Sequence, residues 1–188
     1  NFKIYFKNLN SLGKNDTIYK SSPSVEAMSI AEMRTSLPMI KKNTFSRETL
    51  TPKISFRANP GNNMKNHSTS NKLLDPNNIF EMNRLGLNDS FEAGKSITLG
   101  FDYKFDFLEV KALDEEGYYI NQKDKFLEFK LATVFRDSVE PEIPISSTIN
   151  KKNSGLFGSI NNHLFENLEL GYDFIINNNY DNFESHTL

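Results

Sequence analysis

The chain lacks cysteine and tryptophan altogether, and no apolar run among its 188 residues is long enough for a helix to cross a membrane. Without thiols there is no disulfide framework, no thiolate metal site and no cysteine nucleophile, and the redox compartment has to be read from something else. An excess of one charge is missing too: 22 basic and 24 acidic residues leave a formal net charge of -2, and no basic stripe stands out. That balance argues against the broad positive field that nucleic-acid binding usually needs. The first residue is not Met, and no charged n-region followed by an apolar h-region opens the chain. It therefore reads as a mature segment or an internal piece of a longer protein. Its length calls for one domain, a single segment over residues 1–188.

Signatures of chemistry are equally scarce. His67, His163 and His186 lie far apart and in no metal-ligand spacing such as HxH or HExxH. There is no GxSxG, no Gly-rich phosphate loop and no EF-hand loop, and the acid pair Glu115–Glu116 sits in a turn-like DEEG stretch better read as a loop than as an acid/base pair. No catalytic residue, metal ligand or cofactor is expected.

What the chain does have is aromatic weight, 16 Phe and 7 Tyr, much of it in alternating segments, and this favours β-structure. Its mean hydropathy of -0.54 would ordinarily mean a soluble protein. A transmembrane barrel strand, however, pairs a lipid-facing side with a polar one, so its average is unremarkable while its alternation is strong. The clearest alternation covers residues 95–107. Ile97, Leu99, Phe101, Tyr103, Phe105 and Phe107 fall on one face, and Ser96, Thr98, Gly100, Asp102, Lys104 and Asp106 on the other. A period of two held over that length predicts a strand, longer than the usual 5–6 residues and ample for the roughly 9–11 that cross a bilayer at a tilt. After Phe107 the phase slips to Leu108, Val110 and Ala112, which predicts a bulge or the strand's exit from the bilayer.

Residues 125–136 and 167–177 repeat the pattern, and shorter alternations at 2–7, 50–58 and 155–165 are weaker strand candidates. Residues 24–33 fit a helical face as well as a strand and are assigned to a strand, ended by Pro38. The connections 59–91 and 137–154 are long, polar and rich in Asn, Ser, Gly and Pro, whereas 113–124 is shorter and Glu166 sits in a tight turn. Long and short loops on opposite ends suit an up-and-down outer-membrane barrel.

Residues 79–105 read IFEMNRLGLNDSFEAGKSITLGFDYKF. This resembles a motif in the barrel domain of the LptD family of lipopolysaccharide-assembly proteins, carried here by Ile79, Phe80, Asn83, Arg84, Asp89, Glu92, Gly94, Thr98 and Gly100. The stretches LPMIKKNTFSRETLTPKISFRANPG upstream and FLEFKLATVFRD with SGLFGSI downstream are similar to flanking family hairpins. The chain departs from the pattern at Leu85, Gly86 and Leu87, where the family commonly has a Phe and a second Gly, and it has no counterpart of the family's periplasmic jellyroll or of the strands of its lateral gate.

The resemblance implies an all-β, antiparallel transmembrane barrel segment in the outer membrane of a Gram-negative cell. It implies lipopolysaccharide as the transported partner, an LptE-like lipoprotein plug, and barrel strands of the same protein outside this stretch. On that reading Ile97, Leu99, Phe101, Tyr103 and Phe105 face lipid. Asn83, Arg84, Asp89 and Glu92, with the motif glycines Gly94 and Gly100, either form a polar cluster tying the long loop to the barrel, with Arg84 paired to Asp89 or Glu92, or are solvated loop charges. Two other architectures fit the alternation: a complete small barrel of about 8 strands, and a soluble β-sandwich binding module with the long loops as its surface.

Overall fold

The computed structural model describes residues 1–15, 21–61, 72–107, 125–165 and 168–188. These form a single antiparallel sheet of nine strands: β1 (Phe2–Ser11), β2 (Ser24–Ser36), β3 (Met39–Lys42), β4 (Ser46–Asn59), β5 (Gly94–Phe107), β6 (Lys125–Arg136), β7 (Asn153–Phe165), β8 (Leu168–Ile176) and β9 (Phe183–Thr187). Strands adjacent in sequence are adjacent in the sheet, in the order β1-β2-β4-β5-β6-β7-β8-β9, with β3 also paired to β4. This is an open meander that ends on β1 and β9 and does not close on itself.

Pairing extends what alternation alone marks out. The weak segments 2–7, 50–58 and 155–165 fall within β1, β4 and β7, lengthened because each is zipped to a long neighbour. The ambiguous segment 24–33 is strand and runs on to Ser36; Met28, Ile30 and Glu32 alternate into the interior. Pro38 interrupts it without shifting the register. Ser36 faces Lys53, Met39 faces Leu50, and the Leu37 N–H still donates to the Pro52 carbonyl at 3.1 Å. β2 and β3 are thus one hairpin arm with a gap where proline offers no donor. The phase slip at Leu108, Val110 and Ala112, the Glu115–Glu116 pair, the turn at Glu166 and His67 lie outside the described residues.

The antiparallel order puts the C-terminal ends of β1, β4, β6 and β8 at one end of the sheet, and those of β3, β5 and β7 at the other. The turn at the second end is tight, closed by the Asn43 N–H donating to the Ser46 carbonyl at 2.8 Å.

The 59–91 connection holds more than the polar tie expected of it. Residues 72–93 fold back over one face of the sheet, called the inner face below, and bring an apolar core that the sequence reading did not place. Leu74, Ile79, Phe80, Leu85 and Leu87 are buried there with Ala132 and Val134 of β6, Phe157 of β7, Ile175 of β8, and Ile143 and Ile149 of the β6–β7 connection. Phe91 packs separately on Met28 and Ile30 of β2. Each such side chain contributes about 1.5–3 kcal/mol relative to exposure. Their spacing follows neither period two nor 3.6, so no regular element announces them in the sequence.

Candidate functional site

The motif residues make the fold-back possible one by one. Asp75 accepts from the N–H groups of Asn77 and Asn78 at 2.6 and 3.0 Å, opening a turn around Pro76. Asn83 closes the next turn from both sides: its Oδ1 accepts from the Leu87 N–H and its Nδ2 donates to the Leu87 carbonyl, each at 2.9 Å. Gly86 supplies the positive φ of 66° that this turn requires. Arg84, held on this turn, is fully buried. Its Nε and Nη2 donate to Glu92 Oε2 and Oε1 at 2.7 and 2.5 Å, a forked charge-assisted pair. Nη1 donates to Thr98 Oγ1 at 2.9 Å and Nη2 also to Ser96 Oγ at 3.1 Å, tying the turn to β5.

Two further arginines complete the cluster, both on the inner face. Arg136 of β6 donates to Glu92 Oε1 at 2.6 Å and to the Ala93 carbonyl. Arg57 of β4 donates to the Glu81 carbonyl at 2.5 Å and lies 3.8 Å from Glu32 of β2. Asn59 Nδ2 donates to the Glu92 carbonyl at 3.1 Å. Arg84 therefore takes Glu92 as its carboxylate, while Asp89 acts through its charge on Lys7 of β1. Lys7 donates to the carbonyls of Leu87 and Ser90 at 3.0 and 2.8 Å and sits 4.6 Å from the centre of the Phe91 ring.

The two motif glycines are places of close approach. Gly94 has φ 74°, and a Cβ there would meet Glu140 Oε1 at 2.5 Å. At Gly100 a Cβ would meet the Leu131 carbonyl at 2.5 Å and the Phe80 ring at 3.0 Å, so Phe80 seats on the wall only over glycine.

Burial alone pushes the Glu92 carboxyl up, but the charge and hydrogen bond of Arg84, reinforced by Arg136 and Arg57, outweigh it and hold the group well below the usual carboxylate range. A carboxyl depressed in the folded state adds stability that is whole above its unfolded pKa and is lost as pH falls toward its folded one. The difference in thermal midpoint between the native protein and Glu92→Gln should therefore stay constant at neutral pH and shrink only below about pH 4.3, the ordinary glutamate value. A difference that fades between pH 8 and 6 instead would contradict this assignment.

The outer face has the opposite character. A row of apolar side chains crosses four strands: Met33, Phe56, Ile97 and Phe135 stand opposite one another and are 39–58% exposed. Leu99 is exposed in the next row, while Phe101, Tyr103 and Phe105 are half-buried further along β5. Alternation sends the strand charges Glu32, Arg34, Lys53, Arg57, Asp102, Lys104, Asp106, Glu128, Lys130 and Arg136 to the inner face, many in pairs such as Lys53–Asp102, Arg47–Asp106 and Lys130–Glu128. On β2 to β6 the outer face carries charge only near its ends: Lys95 at one, and Lys41, Glu48 and Lys125 at the other. The Tyr103 hydroxyl donates to Glu48 at 3.3 Å in that second group.

Sequence reasoning missed Arg57, Asn59, Lys7 and the part Arg136 plays, because on a strand a polar side chain that holds a neighbouring segment and a solvated one look alike. Among the described residues there is no group of three or more His, Asp or Glu placed to hold a metal, and no helix long and apolar enough to cross a membrane. The family profile LptD, described as LPS transport system D, matches residues 6–188. No curated protein and no solved structure matches the chain. With nearly its whole length matched, and with a sheet that is all-β and antiparallel, the chain belongs to the LptD family.

Proposed function

We propose that the chain is a sector of the wall of an outer-membrane β-barrel that delivers lipopolysaccharide to the outer leaflet and performs no chemistry on it. The family is one of lipopolysaccharide transport at the outer membrane, not an enzyme family. The observation that carries the finer reading is the segregation of charge, with an outer face charged only near its ends and buried ions within. In a soluble sandwich the charged face would meet water and the apolar face would be covered by a second sheet. From Lys95 to Phe105 is ten residue steps of β5. At about 3.3 Å per residue and a tilt near 40° that spans about 25 Å, the height of the apolar band of an outer-membrane barrel.

In this reading Ile97, Leu99, Phe101, Tyr103 and Phe105 touch lipid. Asn83, Arg84, Glu92, Gly94 and Gly100 anchor the inner segment, and Asp89 supports it through Lys7. The free edges of β1 and β9 pair with further strands of the same protein, since an open edge is not tolerated in hydrocarbon. An LptE-like lipoprotein would meet the inner face beyond the segment. The end bearing the 60–93 and 137–152 connections lies outside the cell. Epitopes inserted at Asn66 and Asn179 of the full-length protein should both be labelled on intact cells, and one at Thr44 only after permeabilisation; labelling at Thr44 on intact cells would reverse the orientation. The transport role itself is tested by depleting the full-length protein. Lipopolysaccharide should then disappear from newly made cell surface, and undiminished delivery would refute the role.

A further inference from the structure

We infer that residues 72–93 are a fixed buttress of the inner wall and not a gate, so that lipopolysaccharide passes without entering the space over β4, β5 and β6. This rests on the transport reading above. Cations from three strands grip the segment by its backbone: Lys7 of β1 at the Leu87 and Ser90 carbonyls, Arg57 of β4 at the Glu81 carbonyl, and Arg136 of β6 at the Ala93 carbonyl. Elements that move in transport or gating come from the least stable parts of a fold, with few buried apolar contacts and solvated hydrogen bonds. This segment has the reverse of both. Lifting it would uncover the core around Leu85 and Phe157 and at the same moment strip Glu92 from Arg136 of β6, and Arg84 from Thr98 and Ser96 of β5.

Its span adds a second consequence. Phe91 rests on β2 while Phe80 and Leu85 share a core with β6, β7 and β8, so the segment bridges the sheet from one side to the other. While it is docked these strands cannot part, and any opening of the wall during transport must occur elsewhere in the barrel.

The test uses the full-length protein with Asn77→Cys and Lys130→Cys, a pair whose native side chains hydrogen-bond at 2.8 Å between the segment and β6. A short bismaleimide joins the two thiols, and the same variant before joining is the reference. Delivery of lipopolysaccharide to the surface should be unchanged by joining, and its loss on joining would overturn the buttress. Should the double variant fail to assemble, hydrogen exchange on the unaltered protein in nanodiscs decides. The amides of Ile79, Gly86 and Leu87 should exchange as slowly as those of β5, and loading with lipopolysaccharide should not change them; fast exchange, or acceleration on loading, would overturn the proposal. Normal delivery in cells depleted of the protein would instead sink the transport reading and leave the exchange result standing.

Discussion

Glu92→Ala should sharply lower the yield of correctly assembled barrel, more than Arg84→Ala or Lys72→Ala in the same segment. The substitution leaves Arg84 and Arg136, both buried, with no carboxylate between them, and Arg57 close by. Breaking a buried pair by removing one partner costs about 3–5 kcal/mol, against a total stability on the order of 5–15 kcal/mol for a typical protein. Arg84→Ala should cost less, because Glu92 keeps its 2.6 Å bond from Arg136. Lys72→Ala removes a more exposed partner of Glu81, where the expected loss is about 0–1 kcal/mol. The order Glu92→Ala, Arg84→Ala, Lys72→Ala in the fraction of heat-modifiable protein is therefore the expected result. Equal behaviour of all three would reduce the motif to a family label with no physical role here.

Phe101→Arg should be nearly as damaging, for a reason that has nothing to do with the cluster. Phe101 lies midway between the charged ends of the outer face, opposite Pro52 and Leu131 and 5.9 Å from the Phe129 ring. Arginine on the lipid face near the midplane costs about 2–4 kcal/mol, and the aromatic contact is lost as well. Thr51→Arg is the control: it sits on the neighbouring strand, but its side points inward, opposite Asp102. Chemical denaturation in bilayers should show a large loss for the first and little for the second. If the two substitutions cost the same, neither face is in contact with hydrocarbon.

How far the sequence spoke depended on the physics of each part. β5 and β6 were legible because a side-chain period of two over a dozen residues has no other cause than a strand with two unlike faces. β3 and β9, four and five residues long, fall below what alternation resolves and exist through pairing to β4 and β8. Arg84 and Glu92 stood out as opposite charges within one motif, but only the turn closed by Asn83 and Gly86 turns Arg84 onto Glu92 and away from Asp89. Arg57 and Arg136 carried no mark. Each sits one strand from β5, directly opposite Ser96 in the sheet, and that convergence is a property of register, which no local pattern records. The apolar side of the fold-back was hidden for a similar reason: Leu74, Ile79, Phe80, Leu85 and Leu87 become a core only when β6, β7 and β8 arrive beneath them.

The central claim is that β5 divides lipid from barrel interior, and a nitroxide scan along residues 95–107 of the full-length protein in bilayers tests it most directly. Collisions with oxygen should be frequent, and those with a water-soluble quencher rare, at Ile97, Leu99 and Phe101. Both should be rare at Ser96 and Thr98, which lie buried beneath the inner segment, and the water-soluble quencher should begin to reach Asp102 and Lys104 beyond it. Ready access of that quencher to Ile97, Leu99 and Phe101 would contradict the membrane reading.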